Sequence, residues 1–313
     1  MTNLLKHIAK DGLKWLELQR VGWLDGGRPC IFRPKAGAPG LFSYVVQTMG
    51  FVRYTHRCHL TPVIDLQTFP NTYLSATRIG QLNAWEYYFE QPAGLSLSDV
   101  DDSLEQPHVF DTTDPHRAGQ LKMPWWDWEC FDPNSVTHRM WRAYGARYIR
   151  LSRKAWETAH AARESLFRPG ERVLGIQCRG TDYTARRLAA HPVQPSPEML
   201  IAEARHLLDE GRYDRVFLAT EDAAAYRKFE DAFGSLLFTS DTSFLDYDGH
   251  SWINRQLPAD QQAKLDHGMA YLVSMCMLAC CNGFVAGRTS GSICVMLFTP
   301  GFDYSHIYDL GTY

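Results

Sequence analysis

ERVLGIQCRGTDYTARRLAAHPV, residues 171–193, passes from an apolar run into charge within a few residues. Val173, Leu174, Gly175 and Ile176 have the unbroken apolar character of a strand covered on both faces, as in a parallel sheet. Arg179, Asp182, Arg186 and Arg187 follow at once, so the strand delivers charge to its carboxyl end. Beyond it the chain alternates. SPEMLIAEARHLLDEG has the signature of a helix, with Ser196 as cap, Pro197 in the first turn and Gly211 as stop. RVFLAT, SLLFTS, FVAG and HIYDL are strands, separated by the helices AAAYRKFEDAFG, DQQAKLDHGMAYLVSMCMLACCNG and SGSICVMLF. This alternation predicts an α/β fold, a parallel sheet with helices on both faces. Ligands of such sheets bind beyond the carboxyl ends of the strands, here the loops CRGTD, ATED, TSD and AGRTSGS.

Upstream, the order is loop, helix, strand: GGRPCIFRPKAGAPG is irregular, LFSYVVQTMGFVRYTHRC is helical and TPVIDL is a strand. One long helix is predicted from Pro133 to about Arg168, closed by RPGE. Two domains follow from this reading, 1–168 and 169–313. A chain of 313 residues, 45% hydrophobic and 21% charged, is long enough for both. The formal charge of -3 with interspersed signs argues against nucleic acid or an anionic membrane as partner. No apolar run reaches the roughly 18 residues of a membrane span, and the N-terminus lacks a signal-type block. A cytoplasmic protein is therefore expected. Eight scattered cysteines fit reduced thiols better than a disulfide framework.

The loops carry anion-binding chemistry. Arg179 stands at a strand end, and Thr289, Ser290, Gly291 and Ser292 stand where a short strand feeds a helix. A helix N-terminus with free amides and a favourable dipole cradles phosphate. Charge-assisted hydrogen bonds contribute roughly 1.5 to 3 kcal/mol each, so a few hold a nucleotide diphosphate without a metal. Taken singly, a helix cap and a surface ion pair explain these residues better than a ligand site does.

Together, Arg179, Thr181 and Asp182, then His191 and Pro192, FLATED at 217–222 and the serine loop near 290 resemble the α1,6-fucosyltransferase family. This is glycosyltransferase family 23, which includes core-N-glycan and nodulation-factor enzymes. The resemblance covers roughly residues 172–310, and GLFSYVVQTMGFVRY is similar to the family's Gly-rich loop and helix. It implies a GT-B enzyme: two Rossmann-like domains with a nucleotide-sugar cleft between them. The implied reaction is an inverting, metal-independent transfer of fucose from GDP-fucose to a glycan or glycoconjugate hydroxyl, as in polysaccharide biosynthesis. Residues 1–168 would form the acceptor side and 169–313 the donor side. The resemblance implies that Arg179 grips the β-phosphate, that Ser290, Gly291 and Ser292 hold the phosphates, and that Glu221 and Asp222 share the rim. No cofactor or metal is implied; the GDP-sugar is substrate.

The chain departs from the family at three places. Gln177 replaces a His and Met275 an Asp at the positions that contact guanine, and Arg187 stands where an ungapped match places the proposed catalytic Glu. The proton acceptor is then Asp182, Glu221, Asp222 or an acid of the first domain, with Asp182 nearest the Arg179 turn. Another nucleotide-sugar donor is one alternative, and a noncatalytic sugar- or nucleotide-binding protein on a degenerate transferase fold is another. Trp125, Trp126 and Trp128 are core residues or a stacking platform for an acceptor sugar. Asp246 and Asp248 have Asp-x-Asp spacing but sit in a solvated loop, and residues 244–260 have the length of a lid. His56, Cys58 and His59 lack the spacing of a zinc site.

Overall fold

The Gly- and Pro-punctuated N-terminal third holds a parallel sheet that its sequence does not announce. In the computed structural model, which describes residues 11, 13–22, 27–34, 39–101, 108–112, 119–180, 187, 189–240, 244–246 and 260–313, the chain divides into two compact units. Unit 1 ends at Lys154 and unit 2 begins at Ala155. In unit 1, helix α1 (13–20) precedes β1 (Pro29–Arg33), α2 (Leu41–Cys58) and β2 (Thr61–Ile64). Then come α3 (Ala84–Tyr88), α4 (Leu97–Asp101), β3 (His108–Asp111) and α5 (Val136–Tyr148). The strands pair in parallel in the order β2-β1-β3. β1 and β3 escape the sequence reading because each is short and hemmed in by residues that favour turns. Tertiary packing secures them: Phe32 stacks on Phe51 of α2 at 4.5 Å, and Phe110 lies 5.7 Å from Phe51.

The helix α2 has the predicted extent, and ends where His59 turns left-handed at φ 54°. β2 is an edge strand whose last residue is tied to two side-chain amides. Gln91 accepts from the Ile64 N–H at 2.8 Å and donates to its carbonyl at 2.9 Å. Asn83 also donates to that carbonyl, at 2.8 Å, and accepts from Leu66 N–H at 3.1 Å. An unpaired strand edge is thus satisfied by side chains.

The single helix expected from Pro133 to Arg168 is in fact two. α5 stops at Tyr148, and α6 (Arg153–Leu166) restarts after an extended break. The break exists because Leu151 bridges to Phe89, with Glu90 N–H donating to the Arg150 carbonyl and Ser152 N–H to the Tyr88 carbonyl, both at 2.9 Å. Those interstrand bonds compete successfully with helical continuation.

Unit 2 realises the alternation of its sequence: β4 (Val173–Gln177), α7 (Pro197–Asp209), β5 (Arg215–Ala219), α8 (Ala223–Phe233) and β6 (Leu237–Phe238). After it come α9 (Gln261–Cys280), β7 (Gly283–Gly287), α10 (Ser290–Phe298) and β8 (Tyr304–Tyr308). The all-parallel order is β6-β5-β4-β7-β8. Counted from β4, this is the 3-2-1-4-5 order of doubly wound sheets, which reverses between β4 and β7. Every residue of β4 is buried. Gly175 lets α9 approach: a Cβ there would stand 3.0 Å from both Leu278 Cδ2 and Cys281 Sγ. All eight cysteines are free thiols. No helix among the described residues is long and apolar enough to cross a membrane.

Asn83 joins the end of β2 to the first turn of α3, whose Trp85 N–H it also accepts at 3.2 Å. Asn83→Ala leaves the Leu66 N–H without its buried acceptor and the Ile64 carbonyl with Gln91 alone, and is expected to cost about 1–3 kcal/mol of stability. Urea denaturation of the variant measures this.

Candidate functional site

The strand order reverses between β4 and β7, and in doubly wound sheets ligands bind outside the carboxyl ends of the strands at such a point. Gln177, the last residue of β4, is 4% exposed. Its side-chain oxygen accepts from Thr289 Oγ1 at 3.1 Å, across the reversal point. Thr289 is the N-cap of α10, and it forms a reciprocal capping box with Ser292. The Ser292 N–H donates to Thr289 Oγ1 at 3.0 Å and Thr289 N–H to Ser292 Oγ at 2.8 Å. Both hydroxyls are therefore buried in the cap. The amides of Ser290 and Gly291 open the helix and have no intrahelical acceptor, so they carry its partial positive charge. Gly291 permits close packing there: a Cβ would stand 2.7 Å from Gln177 Nε2, 2.8 Å from Tyr271 Oη and 3.0 Å from Met275 Sδ. Gln177 Nε2 also contacts Met275 Sδ at 3.6 Å.

Beside this cradle, Arg179 forms an ion pair with Glu221 through its Nη1. The pair extends the strand register. Gln177 is opposite Ala219, so the residues two further along each strand meet just beyond the sheet. The two side chains are 25% and 21% exposed, so the pair is partly solvated. Asp222 is engaged by the helix that follows it. Its Oδ1 caps α8 by accepting from Ala224 and Ala225 N–H at 2.8 and 3.1 Å. Gly180 is required by this neighbour, since a Cβ would meet Asp222 Oδ2 at 2.3 Å. Between them Cys178 is 1% exposed, and burial, then the charges of Glu221 and Asp222, push its thiol well above the usual range. His191 and Pro192 are held by the C-terminal tail: Tyr313 N–H donates to the His191 carbonyl at 3.0 Å, and Pro192 bridges to Thr312. Burial lowers the His191 pKa, favouring its neutral form.

The structure thus brings Gln177, Thr289, Ser290, Gly291 and Ser292 together, with Arg179, Glu221 and Asp222 as a second group on the same sheet edge. Thr181 and Asp182 lie outside the described residues, as do residues 247–259 of the Asp-x-Asp segment. Asp246 pairs with Arg227 at 3.4 Å and is exposed. Arg187 is exposed with φ 42°. Among the described residues, no group of three or more His, Cys, Asp or Glu side chains is placed to hold a metal ion.

Unit 1 has its own strand-end charges, which the sequence reading missed. Arg33, the last residue of β1, donates from Nε to Asp65 Oδ2 at 2.8 Å, just past β2. Asp65 is fully buried and accepts further bonds from Gln67 and Thr68 N–H at 2.9 Å. Asp111 is Arg33's register partner on β3. The available signal was an ionisable residue at the end of each short apolar stretch. Trp125 is half-buried, Trp128 is 37% exposed and packs against Phe131 at 5.2 Å, and the side chain of Trp126 lies outside the described residues.

No family profile and no curated protein sequence matches the chain. Solved structures do. The fold is similar to that of the fucosyltransferase NodZ from Bradyrhizobium, with 16% identity, 87% of this chain and 94% of that chain covered, and a TM-score of 0.53. It is equally similar to NodZ α-1,6-fucosyltransferase co-crystallised with GDP, at a TM-score of 0.52, with 16% identity and coverage of 87% and 93%. POFUT1 in complex with GDP aligns with a TM-score of 0.55 at 10% identity, over 90% of this chain and 98% of that one. The shared class is therefore a mixed α/β fold with parallel sheets, the fold of these fucosyltransferases.

Gly180 lacks the positive φ that demands glycine, so alanine there should stabilise by about 0.4–1 kcal/mol if only chain entropy mattered. The collision with Asp222 reverses the sign. Gly180→Ala is expected to destabilise by about 1–2 kcal/mol through the lost α8 cap, as read by urea denaturation.

Proposed function

We propose that the protein is a GT-B glycosyltransferase that transfers fucose from GDP-fucose to a hydroxyl of a glycan or glycoconjugate, with inversion and without a metal. The observation that carries this reading is the joint presence of the Arg179 guanidinium and the open N-terminus of α10 on one edge of a doubly wound sheet. Both favour negative charge, and a departing nucleoside diphosphate is where charge develops. The likeness of fold to two fucosyltransferases, each also solved with GDP, supports the donor.

In this mechanism the acceptor oxygen attacks the anomeric carbon as the bond to the diphosphate breaks. Arg179 grips the β-phosphate, and the amides of Ser290 and Gly291 receive phosphate oxygens, offsetting charge that a divalent cation would otherwise offset. Gln177, Thr289 and Ser292 hold that helix end in place. Glu221 orients Arg179, while Asp222 fixes the start of α8. Because those two carboxylates are so engaged, Asp182, three residues beyond Arg179, is assigned the acceptor's proton. Unit 1 is assigned the acceptor, with Trp125, Trp126 and Trp128 as stacking candidates. The eight free thiols favour a reducing, cytoplasmic setting.

A second reading, a different nucleotide base on the donor, is favoured by one contact: Gln177 and Met275 are turned on each other and buried. Calorimetric titration with GDP, UDP and GDP-fucose separates the two, followed by GDP-release assays over an acceptor panel. Tight GDP binding with acceptor-dependent release is expected; preference for UDP rejects the guanine donor, and binding without turnover rejects catalysis. Arg179→Ala should keep its circular dichroism spectrum yet lower kcat by about 10²–10³-fold, as loss of one charge-stabilising donor does elsewhere.

A further inference from the structure

Unit 1 contains an open cavity of about 390 Å³ beside the end of β2, within the range of about 300 to 1,000 Å³ usual for small-ligand sites. Two chain segments line it, and the ribbon at Phe89 and Leu151 locks them together. Glu86, Glu90 and Gln91 come from one segment, Arg150, Ser152 and Arg153 from the other, so two carboxylates balance two guanidinium groups. Their polar groups are preset. Glu86 Oε1 accepts from Gln91 Nε2 at 2.8 Å and from Asn83 Nδ2 at 3.3 Å. Gln91 is itself pinned to the backbone of Ile64, so the carboxylate is oriented by a network anchored in the sheet. Glu90 meets Arg150 at 2.7 Å, both side chains half-exposed at 51%. Phe89, 1% exposed and packed at 4.6 Å on Trp85, backs the cavity.

This lining sets the carboxylate acceptors Glu86 and Glu90 beside the Arg150 guanidinium, while the Ser152 hydroxyl donates to the Tyr87 carbonyl at 2.8 Å and keeps its lone pairs as acceptors. A phosphate or carboxylate ligand would face Glu86 and Glu90, and a cation would face Arg150, each paying for an unpaired partner. A neutral molecule carrying adjacent hydroxyls meets both sets at once, because each hydroxyl donates to a carboxylate and accepts from a guanidinium. We propose that this cavity is a binding subsite for a neutral pyranose of a saccharide. The assignment stands on unit 1 alone and does not need the donor reading; where that reading holds, the sugar bound here belongs to the acceptor.

The test uses the full chain and saturation-transfer NMR with methyl glycosides of glucose, galactose, mannose and N-acetylglucosamine, their disaccharides, and glucose 6-phosphate. Neutral sugars are expected to receive transfer, more strongly than the phosphorylated one, with GDP present or absent. Arg150→Ala and Glu90→Ala should each weaken binding roughly tenfold, the loss of one charge-assisted hydrogen bond, without changing the urea midpoint or GDP affinity. Absence of transfer to every neutral sugar, binding that both variants leave unchanged, or preference for glucose 6-phosphate overturns the proposal. GDP titration of the same samples keeps the two readings apart. GDP binding without saccharide binding rejects the subsite and leaves the donor site; the converse rejects the donor site and leaves the subsite.

Discussion

A buried amide at the carboxyl end of β4 has to find a partner, and Gln177 finds it in the Thr289 hydroxyl 3.1 Å away. That hydrogen bond links the central strand to the cap of α10 across the point where the sheet order reverses. It fixes which way the helix N-terminus points, and the capping box then withdraws the Thr289 and Ser292 hydroxyls into the interior. What the cap leaves unengaged at that helix end are the first backbone amides and the half-buried Ser290. The same close packing explains Gly291, whose missing side chain admits Gln177, Tyr271 and Met275 to the first turn. The anion site proposed there would need no basic surface, consistent with a net charge of -3.

Unit 2 was legible in the sequence because its signals are redundant. An apolar run such as VLGIQ, a cap such as Ser196 and a stop such as Gly211 each point to the same boundary, and the alternation limits the topology. Ser196 does accept from the Met199 N–H, at 3.3 Å. The serines near 290 were legible as a helix start, yet the cap residue Thr289 is held by Gln177, 112 residues away. Sequence spacing does not encode such a contact. The pairing of Arg179 with Glu221 was likewise hidden, although each residue was visible, since it requires the register of β4 against β5.

In unit 1 the signals conflict. PCIFR and HVFD are too short to show a period, and PKAGAPG beside the first is a stronger loop signal than the strand is a strand signal. The sheet forms because α2 brings Phe51 against Phe32 and Phe110. A continuous helix over Pro133 to Arg168 failed for a similar reason. Nothing in YIRLSRK forbids a helix, but Leu151 gains a strand-like partner in Phe89 from over sixty residues upstream. NAWEYYFEQP, dense in aromatics, resolves into two functions. Trp85, Tyr88 and Phe89 fill the core, while Glu86 and Glu90 stay exposed.

The two units share one device and use it differently. In each, an arginine at the end of the first strand reaches an acid at the end of the next: Arg33 with Asp65, Arg179 with Glu221. Asp65 is fully buried and also accepts two backbone amides, so removing Arg33 strands a buried carboxylate, which makes that pair part of the fold. Glu221 keeps about a fifth of its surface in water. Solvent lowers the cost of loosening that pair, so the phosphate proposed to bind there would compete for Arg179 without unfolding the sheet that presents it. Burial of the acid, not the identity of the arginine, therefore separates the structural pair from the one suited to a ligand.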